Sequence, residues 1–358
     1  MNALPAHQQT SKLNLLVLGA GAIGGYVGGS LALAGHRVVF LCRPRTAKQL
    51  RKQGLELAFP DTTHTLAPLI ADIEAVPEVG SFDLLILAVK VYDTQAALAP
   101  LLPFKEQMPP ILCLQNGVNS EAKLSKLFGP EKVIPGTVLT AVRRRSRGEI
   151  VVERLRGVGV GGEHPLVPRL IDEMNAAGLN AVHYNDPRSM KWSKLLTNLL
   201  ANPTSAILDM TPAEVFAHPG LFRLEMAQLR EALSVMNALG IRVVDLPETR
   251  VRLLAFAARR LPLRLSQKIL GRKIGQGRGG KMPSYHIDLH LRTGRSEVEF
   301  IHGAVVKYGK KTGIPTPVNA FLTQTMLALV HEELPLPTFW RRPDKLLSQL
   351  EVSPFKSR

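Results

Sequence analysis

The stretch LVLGAGAIGGYVGGSLALAG, residues 16–35, admits two opposed readings. No charged residue occurs from Leu13 to Ala34, which is long enough for a helix to cross a bilayer. Seven glycines between Gly19 and Gly35 argue against that helix, since each costs about 1 kcal/mol relative to alanine in a helix interior. The stretch divides better into two short elements. LNLLVLG is an apolar run of strand length, and Gly19-Ala20-Gly21-Ala22-Ile23-Gly24 is a GxGxxG turn. The residues that follow, to Ala34, read as a helix of small residues; Gly35-His36 closes it, and HRVVFLC is a second strand. The sum is one βαβ unit of about 30 residues.

The chemistry of a dinucleotide explains the glycines. Gly19 permits the tight turn, Gly21 lets the backbone approach a pyrophosphate, and Gly24 lets helix and strand pack closely. The phosphates then meet the N–H groups of Gly21, Ala22, Ile23 and Gly24 at a helix N-terminus, where the dipole favours negative charge. NAD sites commonly carry an acid about 20 residues on, for the ribose 2′-OH. Here the second strand ends Cys42-Arg43-Pro44-Arg45-Thr46, without an acid. Arg43 and Arg45, with Lys48 a turn further on, are placed for a 2′-phosphate, so the expected cofactor is NADP(H).

A chain of 358 residues implies two domains. Hydrophobic residues at 45% and charged residues at 21% are ordinary for a globular protein with a sizeable core. The two cysteines, Cys42 and Cys113, form no CxxC or Cys/His cluster, so neither a disulfide framework nor a metal site is expected. MNALPAHQQTSKLN lacks the basic-then-apolar layout of a signal peptide, and a cytoplasmic setting is expected. Further strands read at FDLLILAVK, PPILCLQNGV, KVIPGTVLTAV and EIVVERLRGVGVGG. Beyond about Asp186 long helical patterns replace them. The expected fold is α/β: a Rossmann-type dinucleotide-binding domain over residues 12–185, a mostly α-helical substrate domain over 186–340, and a tail over 341–358.

Ligands of open α/β sheets bind outside the carboxyl ends of strands, which singles out Lys90 and Asn116. In KWSKLLTNLLANPTSAI, Lys194, Asn198 and Asn202 are four residues apart and share one face of a continuous helix, beside leucines. As the wall of a cleft this face makes sense: lysine can protonate a carbonyl oxygen, and asparagine can both donate and accept. Pro203 bends or ends that helix. Further on, Ser284 and Asp288 are a turn apart, and Glu297 and Glu299 precede another helix.

Together these motifs resemble the ketopantoate reductase (2-dehydropantoate 2-reductase) family along nearly the whole chain. The matching series is GAGAIGG, VK after a buried strand, QNGV, K(x)3N(x)3NP(x)2AI, PSxxxD, a GR–Glu segment, HGAVV and GIPTPVN. The resemblance implies a Rossmann domain plus a helical domain with the active site between them, and NADPH-dependent reduction of ketopantoate to pantoate on the way to coenzyme A. It implies Lys194 as general acid and Glu297 as the carboxylate that binds the substrate hydroxyl and positions the lysine. Asn116, Asn198, Asn202 and Ser284 match substrate-side residues, with Asn116 also at the nicotinamide, while Lys90 and Arg43 match cofactor-side residues. GRSEVEF departs from the family's usual GRxTEID: counting back from Gly303 selects Glu297, counting forward from Arg295 drifts toward Glu299. Glu297 is preferred. The asparagine of the family's Asn-Gly-Glu is absent from Thr211-Pro212-Ala213-Glu214.

Two other readings share the fold: an NADPH-dependent reductase of a different 2-keto acid, and a non-catalytic NADP(H)-binding protein. The net charge of +16 adds a third idea. Arg250–Lys281 holds ten Lys/Arg and no acid, a surface that suits membrane headgroups or nucleic acid. It matches no nucleic-acid module, and no specific nucleic-acid partner or transmembrane segment is expected. The expected partner is a small 2-keto acid; an apolar helical domain is compatible with a homodimer.

Overall fold

The computed structural model describes residues 12–72, 81–267 and 282–352. Twelve strands and fifteen α-helices follow in chain order among these residues: β1 (Asn14–Leu18), α1 (Ala22–Leu33), β2 (Arg37–Cys42), α2 (Pro44–Gln53), β3 (Leu55–Ala58), β4 (Thr63–Leu66), β5 (Leu69–Asp72), β6 (Leu84–Leu87), α3 (Thr94–Leu98), β7 (Ile111–Cys113), α4 (Ser120–Phe128), β8 (Val133–Val138), β9 (Ala141–Ser146), β10 (Glu149–Arg154), β11 (Val158–Gly161), α5 (Val167–Ala176) and β12 (Ala181–Tyr184). The rest is helical: α6 (Pro187–Leu199), α7 (Asn202–Leu208), α8 (Pro212–Ala217), α9 (Pro219–Ala238), α10 (Val251–Arg260), α11 (Leu263–Ser266), α12 (Ser284–His290), α13 (Val298–Thr312), α14 (Pro317–Val330) and α15 (Pro343–Val352).

The main sheet runs β12-β11-β8-β7-β6-β1-β2-β5. Its six strands from β5 to β8 are all parallel. Taken in chain order they are arranged 3-2-1-4-5-6, the doubly wound order whose crevice opens where the winding reverses. That point lies between β1 and β6. Alternation along β1 covers both faces: Leu15 and Val17 join one buried cluster, Leu16 and Leu18 the opposite one. The charge-free opening stretch is therefore a fully buried strand and a buried helix. A second sheet, β4-β3-β10-β9, takes the arginines of Arg143-Arg144-Arg145 onto its edge strand.

A third cluster fills the helical part, with Trp192, Phe216, Phe222 and Tyr285 among its large side chains. Two expectations need correcting here. The tail is in part a helix: α15 returns to pack on α9, and its Leu346 is fully buried. An apolar face in LLSQL draws it back; residues 353–358 lie outside the described residues. The single helix carrying Lys194, Asn198 and Asn202 is in fact two. α6 stops at Leu199, Ala201 adopts φ +52°, and Asn202 opens α7. In a continuous helix the Pro203 ring would clash with the Leu199 carbonyl four residues back, whereas in the first turn of α7 its missing N–H costs nothing.

A buried polar network holds the break. Ala201 N donates to Glu225 Oε2 (2.7 Å), and Gln228 Nε2 donates to both Glu225 (2.7 Å) and the Leu199 carbonyl (3.3 Å). Gln228 Oε1 therefore faces His302 Nε2 (3.1 Å), which must donate, leaving Nδ1 to accept from Tyr285 Oη (3.3 Å). Burial pulls the His302 pKa down from 6.5 to about 3. The unfolded chain thus carries the extra proton between those values, and stability is lost as pH falls from 6.5 toward 3. Between pH 6.5 and 5 this amounts to about 2 kcal/mol at about 1.4 kcal/mol per unit. Chemical denaturation at the two pH values should show that loss in the wild type and a flatter profile in His302→Gln; identical slopes would place the proton uptake elsewhere.

No helix among the described residues is long and apolar enough to cross a membrane. The part of the basic stretch in α10 packs on α9 through Val251, Ala255 and Ala258. Arg259 Nη2 donates to the Leu233 carbonyl (2.9 Å), so one of its charges serves helix packing. Residues 268–281 of that stretch lie outside the described residues.

Candidate active site

The glycine turn sits at the reversal point. Gly19 has φ +104°, and a Cβ on Gly24 would collide with the Gly19 carbonyl oxygen. Helix and strand can approach this closely only with glycine at both ends of the turn. At Gly21 an added Cβ would meet nothing within 4 Å, so the backbone there faces open space. Gly21 caps α1 without any side-chain bond, which leaves the first-turn N–H groups of Ala22, Ile23 and Gly24 to an outside acceptor. This cradle fits a pyrophosphate. Arg43 caps α2 just past β2, exposed, with Nη2 3.0 Å from Asp93 Oδ1. Arg45 and Lys48 are exposed on the same helix.

The loops after β6 and β7 meet beside the turn. Gln115 is buried and donates to the Val89 carbonyl (2.9 Å) and to Thr94 Oγ1 (2.7 Å), locking the two loops together. Asn116 follows it and accepts at Oδ1 from Asn198 Nδ2 (3.2 Å). At Gly117, φ +87°, a side chain would run into the Phe300 carbonyl oxygen, so this turn is pressed against α13. Asn202 Nδ2 donates to the Asn198 carbonyl (3.2 Å), and its Oδ1 accepts from Tyr285 N (3.2 Å). Asn202 thus still stands next to Asn198 across the helix break. Lys194 is half-buried one turn before Asn198. Ser284 is exposed at the first turn of α12.

Lys90 crosses from the sheet to the helical side. Its Nζ lies 2.7 Å from Glu297 Oε2 and 3.3 Å from Asp288 Oδ2. Glu297 is 2% exposed and precedes α13, whereas Glu299 is exposed. Burial alone would depress the Lys90 pKa, but the Glu297 and Asp288 carboxylates outweigh it and raise it well above the ordinary value. Asp288 is raised, first by burial and also by the Glu297 charge, with Lys90 opposing. Burial, with Asp288 next, pushes the neighbouring Tyr92 up to about 12. The cluster is therefore a part-buried lysine shared by two carboxylates, and a second tie runs outside it. Arg295 Nη1 reaches Asp93 Oδ1 (2.7 Å), the same oxygen that Arg43 contacts.

One residue here has no place in the sequence reading. Lys191, 5% exposed, sends Nζ from α6 to the carbonyls of Gln115 (2.6 Å) and Gly136 (3.1 Å) and pairs with Glu121 Oε1 (2.7 Å). It fixes the lysine–asparagine helix onto the carboxyl ends of the strands. Its only signal in the sequence is its position one turn before Lys194, next to a tryptophan. Lys191→Met strands Glu121 and two carbonyls, and should cost about 3 kcal/mol or more in urea unfolding. A loss below about 1 kcal/mol would show that the charge is not structural.

The glycine turn at the reversal point of a doubly wound sheet defines the class, a dinucleotide-binding α/β domain followed by a helical one. The family follows from the sequence itself. Residues 15–163 match ketopantoate reductase PanE/ApbA, and residues 186–330 match ketopantoate reductase PanE/ApbA C terminal; the chain belongs to that family. It is 30% identical over 326 residues to the 2-dehydropantoate 2-reductase of Archaeoglobus fulgidus, covering 88% of this chain and 95% of that protein. It is 28% identical to the 2-dehydropantoate 2-reductase of Mesorhizobium japonicum, over 89% and 97%. In fold it is similar to a PanE/ApbA family ketopantoate reductase from Ralstonia eutropha JMP134 (TM-score 0.76, 24% identity, 90% of this chain and 99% of that one). It is equally similar to D-mandelate dehydrogenase with NADH and anilino(oxo)acetate (TM-score 0.75, 21% identity, 89% and 99%).

Proposed function

We propose that the chain reduces ketopantoate to pantoate with NADPH. The observation that carries this reading is the convergence at the sheet's reversal point. Lys90 and Asn116 follow β6 and β7; Lys90 meets Glu297 and Asp288, Asn116 meets Asn198 on α6, and Lys194 precedes Asn198 by one turn of the same helix. When bound, the nicotinamide supplies the hydride for the keto carbon. The protein supplies the proton: the Lys194 ammonium donates to the carbonyl oxygen as it gains charge, and is reprotonated from solvent. Asn116 and Asn198 orient the carbonyl and carboxylate, and Asn202 and Ser284 complete the substrate side. Glu297 accepts from the substrate hydroxyl and sets the local field in which Lys194 acts, with Lys90 held between it and Asp288.

The choice of NADP(H) rests on Arg43. It stands after β2 where an NAD site would carry an acid, and a 2′-phosphate dianion would compete with Asp93 for its guanidinium. The D-mandelate dehydrogenase neighbour holds NADH, so the cofactor needs direct comparison. NADPH and NADH oxidation at 340 nm, with ketopantoate beside a panel of aromatic and aliphatic 2-keto acids, tests both points. NADPH with ketopantoate should give the highest kcat/KM, and Arg43→Ala should weaken NADPH far more than NADH. Preference for another 2-keto acid would keep the fold and the proton donor but move the substrate. Tight NADPH binding without turnover of any keto acid would overturn the enzymatic reading.

A further inference from the structure

On the far side of α12 from the Lys90 cluster's carboxylates stand two histidines that the proposed reaction does not use. His286 and His290 are four residues apart on that helix, so their rings project from one face. They are stacked, with centroids 3.9 Å apart. Both face Asp209, the residue that ends α7 with φ +50°. His286 Nε2 is 2.8 Å from Asp209 Oδ1 and His290 Nε2 is 4.0 Å from the same oxygen. One ligand atom from each of the three residues lies within 4.8 Å of the others. The side chains are 39%, 14% and 30% exposed for Asp209, His286 and His290, so the cluster opens to solvent while being held from behind. Trp340 stacks on His290 at 5.8 Å.

We propose that Asp209, His286 and His290 form a binding site for a divalent transition-metal ion of the zinc class, distinct from the active site. Two imidazoles and one carboxylate suit zinc rather than magnesium or calcium, which prefer all-oxygen shells. Ligands held at about 2.0–2.1 Å in a tetrahedron lie a little over about 3 Å apart. The observed 2.8 and 4.0 Å bracket that separation, so modest ring rotations assemble the site. Three protein ligands leave a fourth position for water.

The site has a mechanical consequence. α7 begins at Asn202 and ends at Asp209; α12 begins at Ser284 and carries Asp288 to Lys90. An ion across their far ends cross-links the two helices that present these groups to the cleft. It would stabilise the fold in proportion to its occupancy. A sequence search for Cys/His spacing misses the site, because its third ligand is 77 residues before the nearer of the two histidines that complete it.

The test uses the full chain, stripped with a chelator and dialysed, then titrated with ZnCl2 against a chromophoric zinc indicator. One equivalent of Zn2+ should be taken from the indicator, Trp340 fluorescence should change with the same stoichiometry, and the melting temperature should rise with Zn2+. His286→Ala and His290→Ala should each weaken binding by at least the roughly 10–100-fold that loss of an outer-shell partner costs. Asp209→Asn provides a variant that preserves the left-handed backbone, which asparagine tolerates, and it should also weaken binding while melting normally without zinc. No stoichiometric binding, or binding unchanged in the double variant His286→Ala/His290→Ala, would overturn the proposal and leave a plain Asp–His hydrogen bond under an aromatic stack.

Discussion

Lys194→Ala should lower kcat/KM for the keto acid by about 10²–10⁴, the range a general acid contributes, and leave NADPH affinity within a few-fold of wild type. The reasoning starts from rigidity. A proton donor must stand within about 3 Å of the developing alkoxide, and an error of about 1 Å can cost about 10²-fold. Lys194 lies on α6 between two fixed points. Lys191 ties the helix to the Gln115 and Gly136 carbonyls, and Asn198 is bonded to Asn116. Helix and strand ends therefore move together, and the lysine's stem is short of freedom at its base. Lys194→Arg should not restore the rate, because guanidinium holds its proton too tightly and its planar fork has a different reach. Stopped-flow hydride transfer with saturating NADPH separates the chemical step from binding. A fall of less than about tenfold would remove Lys194 from proton transfer and leave it a carboxylate anchor, in which case KM rather than kcat should carry the change.

The sheet was legible in the sequence because its information is local. The glycines of residues 19–24 fall between an alternating strand and a small-residue helix, and this alone selects a doubly wound order around β1. The lysine–asparagine pair, Lys194 and Asn198, is also local, since helical periodicity puts both on one face. The continuous helix expected through Asn202 breaks at Ala201, although Asn202 still reaches the Asn198 carbonyl. That break depends on Glu225 and Gln228 of α9, more than twenty residues away. Lys90 illustrates the same limit from the other direction. Its position after a strand marks it as ligand-facing, but its carboxylate partners are 198 and 207 residues distant, and no spacing rule joins them. Arg43, read as a phosphate ligand, shares Asp93 with Arg295 from the helical side. Exposed pairs of this kind contribute little to stability. Their interest is that an arginine following β2 and one preceding α13 meet at one oxygen.

Glu297→Gln should reduce kcat/KM for the keto acid by about 10²-fold, the weight of a charge-assisted buried hydrogen bond, whereas Glu299→Gln should leave it unchanged. The two glutamates lie two residues apart, and the motif alone could be counted to either. Burial separates them: Glu297 faces Lys90 at 2.7 Å, and Glu299 points to solvent. Glutamine preserves the size of the side chain and removes the charge. Lys90 then keeps only Asp288, at 3.3 Å, and loses the larger of the two interactions that raise its pKa. Asp288 in turn loses a like-charged neighbour, so its pKa falls and it becomes the better partner for Lys90. The lysine should consequently swing toward α12, away from α13, and the carboxylate proposed to accept from the substrate hydroxyl is gone. Because Asp288 compensates the charge, Glu297→Gln should fold normally, and the double variant Glu297→Gln/Asp288→Asn, which leaves a part-buried ammonium without a counterion, should melt below it. Steady-state kinetics with melting curves on all four proteins separate these effects. A loss confined to Glu299→Gln would move the acid two residues along the chain and leave the Lys90 pair as a purely structural tie between sheet and helices; equal losses would remove the distinction between the two glutamates.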